Sequence, residues 1–195
     1  MKLELNCEVE YFKDFLELSL ANELFLELIG LVKTLNYLPQ TEDGETYHVN
    51  FGKIMFVDQD LHDKNIFPEQ HWGPTKPWTD KLKTVKELIE NHIHQKFQVC
   101  VLIYYPDGHS GVDFHSDFVA FGDTSIIPSI SLGEEREFIF REIESGNKFV
   151  TDLEHGSLIT MGKYCQERYE HSLPINPEYK NPRINLTFRK YGFSN

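Results

Sequence analysis

The chain has 195 residues, 40% hydrophobic and 13% aromatic, with a formal net charge of −12 at pH 7. That is the size of one domain with ample material for a core, and no apolar run approaches the roughly 18 residues of a membrane span. The acidic balance works against long-range attraction to a polyanion, so a nucleic-acid-binding surface would have to concentrate its positive charge locally.

The start, Met1-Lys2-Leu3-Glu4-Leu5-Asn6, lacks the long uncharged apolar core of a secretion signal, and a cytoplasmic protein is expected, nuclear in a eukaryote. Residues 11 to 36 read as helical, in two pieces, because Phe12, Phe15 and Leu16 and then Leu24, Leu28, Leu31, Val32 and Leu35 recur at helical spacing. Pro39 and Thr41-Glu42-Asp43-Gly44-Glu45 end that segment. Tyr47 to Val57 are strand formers. Asp58 to Thr79 reads as a long loop containing Pro68, Trp72-Gly73-Pro74 and Pro77-Trp78, the kind of segment that serves as a lid or binding loop.

Thr79 is placed to cap a helix in which Leu82, Val85, Leu88, Ile89 and Ile93 share one face and Lys81, Lys83, Lys86, Glu87 and Glu90 the other. Strands are then expected at 97–105, 112–114, 126–132, 138–143, 157–161 and 184–190, separated by Asp-Gly, Gly-Asp, Gly-Asn and His-Gly turns. Helices followed by many strands with tight turns point to a barrel or two-sheet roll with helices on one side. No repeat or low-complexity tract interrupts it. Cys7, Cys100 and Cys165 have neither an even count nor CxxC spacing and read as reduced thiols.

The last strand carries chemistry. With period 2, Arg183, Asn185, Thr187 and Arg189 fall on one face and Ile184, Leu186 and Phe188 on the other. Guanidinium forks match carboxylate oxygens, so this face suits a small dianion; alone it could equally be the outer face of an edge strand. Upstream, Val112-Asp113-Phe114-His115-Ser116-Asp117 places residues 113, 115 and 117 on one face if the strand is regular, and His171 lies further along in Tyr169-Glu170-His171-Ser172-Leu173-Pro174. Two histidines and a carboxylate are the facial triad of non-haem iron oxygenases. The pair His115 and Asp117 is a weak signal by itself; with the arginine face it describes a metal and an anchor for a keto acid.

Residues from about 99 to 192 resemble the AlkB-like Fe(II)/2-oxoglutarate dioxygenases, the oxidative nucleic-acid demethylases. The similarity runs through Val101-Leu102-Ile103-Tyr104-Tyr105 with Asp107-Gly108, then Val112 to Asp117, then Ile130-Ser131-Leu132-Gly133. It continues through Arg136 to Arg141, Leu153-Glu154-His155-Gly156-Ser157-Leu158, His171-Ser172-Leu173-Pro174 and Pro182 to Arg189. The resemblance implies an α+β fold with a double-stranded β-helix (jelly-roll) core, N-terminal helices packed on one side and a substrate lid. One domain would span 1–195, with helical support at 1–43, the lid at 44–78 and the catalytic jelly roll at 97–192.

It further implies His115, Asp117 and His171 as ligands of Fe(II), with 2-oxoglutarate and O2 as cosubstrates. Arg183, Tyr105 and Asn185 would hold the remote carboxylate of 2-oxoglutarate and Arg189 would lie by the chelating one. His155, in the Glu-His-Gly turn, reads as structural. Alkylated DNA or RNA is the implied partner, with no membrane, and a monomer is expected. Trp72, Trp78, Phe114, Phe118 and Tyr169 are candidates for holding an extruded base, and Lys81, Lys83, Lys86, Lys180 and Lys190 are the local basic supply.

Two departures from the family pattern stand out. Ile103 occupies the place where an Asn usually precedes the motif Tyr by two residues, removing one hydrogen bond to the cosubstrate. Phe118-Val119-Ala120 follow Asp117 where an acid near the base is usual, and Asp123 is the next carboxylate. A protein side chain or small metabolite is therefore the alternative substrate, and a catalytically silent binding module on the same fold is a third reading.

Overall fold

In the computed structural model, the described residues are 1–33, 45, 49–117, 119 and 121–192. The expected helical continuation over 34–36, the break at Pro39 and Thr41 to Gly44, the first strand formers at 47–48, and Phe118 lie outside them. Residues 9–12 alternate buried and exposed side chains and form strand β1 (Val9–Phe12), where the sequence reading began a helix at residue 11. The apolar spacing of Phe12, Phe15 and Leu16 imitates a helical turn, but an antiparallel partner at residues 158–161 captures the segment as an edge strand. Helix α1 (Leu18–Lys33) follows as one piece, burying Ala21, Leu24, Leu28 and Val32.

After β2 (Gly52–Val57), the stretch expected as an irregular loop is structured: helices α2 (Gln59–Asp63) and α3 (Glu69–Trp72) lead to β3 (Thr75–Pro77), which pairs parallel with β2. Helix α4 (Asp80–Ile93) starts at Thr79, whose hydroxyl accepts a hydrogen bond from the Leu82 amide at 3.3 Å, and stops at His94 in the left-handed conformation. The remaining elements are β4 (Val99–Tyr105), β5 (Val112–His115), β6 (Ile127–Gly133), β7 (Arg136–Glu142), β8 (Lys148–Leu153), β9 (Ser157–Met161), α5 (Cys165–Arg168), β10 (Tyr169–Leu173) and β11 (Arg183–Arg189). Strands β8 and β10 were not expected. β8 is an edge strand with Lys148, Val150 and Asp152 exposed, and β10 carries Glu170, His171 and Ser172 where apolar residues would announce a strand.

The strands form a seven-stranded sheet in the order β1-β9-β6-β11-β4-β2-β3 and a four-stranded sheet in the order β5-β10-β7-β8. Every pairing except β2 with β3 is antiparallel, and the two sheets make a jelly-roll sandwich. The outer face of the large sheet buries Ile54, Phe56, Leu102, Ile130, Leu132, Ile184, Leu186 and Phe188 against α1 and α4. Strand alternation then turns the other residues of β2, β4, β6 and β11 toward the second sheet. Between the sheets, Tyr105, Ile127, Phe138, Phe140, Ile159, Met161 and Leu173 close one end of the interior.

Gly133 ends β6 at φ +91°, and a Cβ there would come 2.3 Å from the Pro182 carbonyl and 2.6 Å from the Phe25 ring. Only glycine allows β6 to turn while α1 stays packed over it. The three cysteines are free thiols and all are buried.

Candidate functional site

Strand β11 is the central strand of the seven-stranded sheet, between β6 and β4, so the edge-strand reading of its polar face does not hold. Arg183, Asn185, Thr187 and Arg189 line a cavity of about 390 Å³ between the sheets, opposite His115, Asp117 and His171. The ligand-type atoms of those last three residues lie within 4.8 Å of one another.

Local structure brings the three together. His115 and His171 are cross-strand partners on β5 and β10, with ring centroids 4.4 Å apart. Between that pair and the next, Val112 with Leu173, the register shifts: β5 spends three steps where β10 spends two. That bulge corrects the regular-strand reading. Val112 lines the cavity along with His115, and Asp113 is exposed. The chain leaves β5 after His115, and Asp117 is fixed by its surroundings: its amide donates to Gln166 Oε1 at 2.8 Å, while Ser116 Oγ donates to the Tyr169 carbonyl at 3.0 Å.

The hydrogen bonding of His115 and the burial of His171 suit ligation. His115 Nδ1 lies 2.8 Å from the Asp113 carbonyl, which can only accept, so the proton sits on Nδ1 and Nε2 offers its lone pair. Burial pushes His171 down to about 4, against the opposing pull of Asp117, so it is a neutral imidazole at pH 7. Asp117 Oδ1 lies 3.3 Å from Arg189, and its Oδ2 is buried with no hydrogen-bond partner among the described residues. A buried carboxylate oxygen without a donor is costly unless a cation takes it. The residues present fit a divalent metal.

The cationic face is as specific. Burial lowers Arg183 to about 10, which leaves it charged at neutral pH. Its Nη2 donates to Ser131 Oγ at 2.9 Å, while its Nε is buried without a partner among the described residues. The Tyr105 ring lies 5.6 Å from the guanidinium, and Asn185 is held by Ser129 Oγ and Thr187 Oγ1, each at 2.8 Å. Arg189, also depressed by burial, sits between Asp117 and the Phe121 ring. Two buried guanidiniums at opposite ends of one strand face suit a small molecule with an acid at each end.

The proposed base-holding aromatics divide. Trp72 lines the cavity, packed on Phe67 and Phe121. Trp78 is turned the other way: it stacks on Phe188 in the outer core and donates its indole N–H to Asp58 at 2.8 Å. Phe114 lies under the Arg141 guanidinium, 3.9 Å away, on the outside of the small sheet. Tyr169 is buried in the inter-sheet core, its hydroxyl taking the Asn6 amide. Phe118 lies outside the described residues.

Sequence reasoning missed Lys53, Phe51 and Phe121 as cavity residues, and Gln166 as the support of Asp117. A period-2 reading of β2 would have set Lys53 on the inner face with Met55 and Val57. Nothing in the sequence marks Phe121.

The basic supply is largely neutralised. Lys81 reaches Glu23 and Glu27, Lys83 reaches Asp80, and Lys86 lies 2.6 Å from Asp58 and 4.5 Å from the Trp78 ring. Lys190 pairs with Asp123 at 3.7 Å, which also takes that carboxylate away from the cavity. His155 is a structural acceptor: its Nδ1 receives the Gly133 amide at 2.8 Å.

A sequence profile of the 2OG-Fe(II) oxygenase superfamily matches residues 8–189. The DNA oxidative demethylase ALKBH2 of Bos taurus is 34% identical over 126 residues, 59% of this chain and 45% of that protein. Alpha-ketoglutarate-dependent dioxygenase alkB homolog 3 of Mus musculus is 32% identical over 132 residues, 63% of this chain and 44% of that protein. The chain thus spans about half the length of the relatives it matches. Among solved structures, that of OsALKBH1 superposes with a TM-score of 0.68 at 15% identity, covering 96% of this chain and all of that one. A Trichoplax adhaerens prolyl hydroxylase in complex with a hypoxia inducible factor peptide superposes at 0.60 and 11% identity, covering 94% of this chain and 83% of the other. Profile, relatives and fold agree: the chain belongs to the 2OG-Fe(II) oxygenase superfamily and is AlkB-like within it.

Proposed function

We propose that the protein is an Fe(II)/2-oxoglutarate-dependent dioxygenase that removes N-alkyl groups from bases of DNA or RNA. The observation that carries the reading is the convergence, in one cavity, of a compact His-Asp-His donor set and two buried arginines on a single strand face. The likeness to proteins named as nucleic-acid demethylases supports the choice of substrate.

His115, Asp117 and His171 would hold the iron, which would supply, with 2-oxoglutarate, the activation of O2, the keto acid being turned to succinate and CO2 and the oxidised methyl released as formaldehyde. Arg183, with Tyr105 and Asn185, takes the remote carboxylate of 2-oxoglutarate, and Arg189 stands by the carboxylate nearer the metal. An acid held at both ends keeps one orientation, which is worth more to rate than tight binding alone. Val101, Ile103, Val112, Phe138, Ile159, Met161 and Leu173 give the cavity an apolar lining that sheds water from the reacting centre. The segment 58–77, laid over the inner face of β2 with Trp72 at the cavity, serves as the substrate-side wall. An alkylated base has to leave its stack to reach this depth.

The test is succinate formation from 2-oxoglutarate by the full chain with Fe(II), abolished by His115→Ala, together with mass spectrometry of methylated single-stranded DNA, duplex DNA and RNA. Loss of a methylene mass from any of them supports the reading. Succinate without demethylation of any nucleic acid points instead to a protein side chain or metabolite, which the pairing of Lys81, Lys83 and Lys86 with acids favours. No succinate under any condition points to a silent module.

A further inference from the structure

We propose that Arg136, buried behind the cavity, is a positioning residue for the cosubstrate: from the small sheet it braces Tyr105 beside Arg183 and adds a second positive charge at the end that takes the remote carboxylate of 2-oxoglutarate. The inference rests on the assignment of that end to Arg183, Tyr105 and Asn185, and deepens it.

Arg136 opens β7 and is fully buried. Alternation along β7 turns it to the same buried face as Phe138 and Phe140. Phe138 lines the cavity and Arg136 does not. Tyr105 connects the two regions: its ring lines the cavity and lies 5.7 Å from the Arg136 guanidinium and 5.6 Å from that of Arg183. Arg183 meets the ring as its register partner on the large sheet, whereas Arg136 comes from the other sheet. One phenol ring therefore carries a guanidinium from each sheet, which fixes its place more firmly than either could alone.

The hydrogen bonding of Arg136 separates its charge from a purely mechanical task. Its Nη1 donates to the Ser110 carbonyl at 2.9 Å, in the loop between β4 and β5. Its Nε and Nη2 are buried with no hydrogen-bond partner among the described residues, and Glu134 Oε2 stands 3.9 Å from Nε, at the limit of an ion pair. A second ring, Tyr179, lies 5.2 Å from the guanidinium, and its hydroxyl accepts the Glu137 amide at 3.1 Å. Bracing the Ser110 loop needs one neutral donor. A buried charge so thinly compensated costs stability, and an incoming anion offsets that cost.

Arg183 is in the same condition, fully buried with its Nε unpartnered among the described residues, and Arg136 works against its charge. Two buried cations at one end of an empty site repel each other. A carboxylate arriving there relieves both at once, with little water to screen the effect. A keto acid that ends in a methyl group relieves neither. Arg136 thereby favours the second acid group of the cosubstrate without touching it.

The pair 2-oxoglutarate and 2-oxopentanoate share the chelating end and the carbon chain, one ending in a carboxylate and the other in a methyl group. Calorimetric titration of the Mn(II)-loaded protein without O2 gives both dissociation constants, and their ratio is the preference for the second acid. Arg136→Gln keeps a donor for the Ser110 carbonyl, Arg136→Met keeps much of the volume, and Arg136→Lys keeps the charge. Gln and Met are each expected to cut the wild-type preference by at least about tenfold, the scale of one charge in a partly screened interior, and Lys to retain most of it. Because each ratio is taken on one preparation, a partly unfolded variant does not distort it, and Gln alone suffices if Met does not fold. Equal weakening of both ligands, or a preference that does not follow the charge, makes Arg136 a brace for its loop and overturns the proposal while leaving the clamp intact. A wild type without preference for 2-oxoglutarate overturns the clamp as well.

Discussion

Ile103 and Asn185 face each other across the β4–β11 ladder, so an apolar side chain stands beside the amide assigned to the remote carboxylate of the cosubstrate. Asn185 spends its side chain on Ser129 and Thr187, and Arg183 spends one amino group on Ser131. A donor at residue 103 would point into the same space. Ile103→Asn is therefore expected to tighten 2-oxoglutarate binding by about 2- to 10-fold, the equivalent of one neutral hydrogen bond. Calorimetric titration of the metal-loaded protein without O2 measures it. Unchanged affinity would mean that Tyr105, Arg183 and Asn185 already satisfy that carboxylate.

Arg183 carries the larger share. Its guanidinium is fully buried, and Arg183→Met removes the charge while keeping much of the volume. Losing a charged hydrogen-bond donor costs about 1.5–3 kcal/mol, so the 2-oxoglutarate dissociation constant should rise at least about tenfold. Metal affinity, measured by the same titration with Mn(II), should change little, because Arg183 does not touch His115, Asp117 or His171. Equal losses of both affinities would assign Arg183 to the fold.

The two halves of this site were not equally legible in the sequence. The face of β11 could be read because a strand with one packed and one polar side imposes period 2, and Ile184, Leu186 and Phe188 obey it. His115 and Asp117 could be grouped by their spacing, and with His171 and the arginine face they already described a metal and an anchor; what the spacing got wrong was Asp113, which the bulge in β5 turns out of the face. Strand β10 was invisible for a related reason: its functional histidine and its polar neighbours displace the apolar pattern by which a strand is recognised. The aromatic candidates divided because an indole in a Pro-rich loop carries no mark of which sheet face it covers; Trp78 covers the outer core and Trp72 the cavity. The start of the chain misled for the opposite reason, Phe12, Phe15 and Leu16 fitting a helical period while β9 offered an edge to pair with.

His155 gives a pH dependence with a definite sign. Its Nδ1 accepts the Gly133 amide, a bond available to the neutral ring in the tautomer protonated at Nε2, and burial lowers its pKa below the usual histidine value of 6.5. A histidine depressed in the folded state takes up its proton more readily when unfolded. Its contribution is complete above pH 6.5 and declines as pH falls from there toward the folded value. Urea unfolding at pH 7.5 and at pH 5.5 should show a smaller loss of stability on acidification in His155→Gln than in wild type, by up to about 1 kcal/mol. A difference of the opposite sign would mean that the ring is protonated in the fold.

Gln166 tests how firmly the metal site is held by what lies behind it. The residue opens no contact to the cavity; from α5 it takes the Asp117 amide on Oε1 at 2.8 Å, and its own amino group lies 3.5 Å from the Met161 sulfur. Asp117 has left β5 and lacks a ladder partner, so this bond and the one from Ser116 to the Tyr169 carbonyl orient the turn that carries it. Loss of such a supporting bond typically weakens metal affinity by about 10- to 100-fold. Gln166→Ala should therefore weaken Mn(II) binding at least about tenfold, while affinity for 2-oxoglutarate at saturating metal falls much less. Gln166→Glu retains an oxygen acceptor and should recover part of the loss, less whatever the added negative charge does near Asp117. Thermal unfolding of the metal-free variants separates the effects: if Gln166→Ala lowers stability as much as metal binding, the bond serves the fold of α5 and not the aim of the carboxylate.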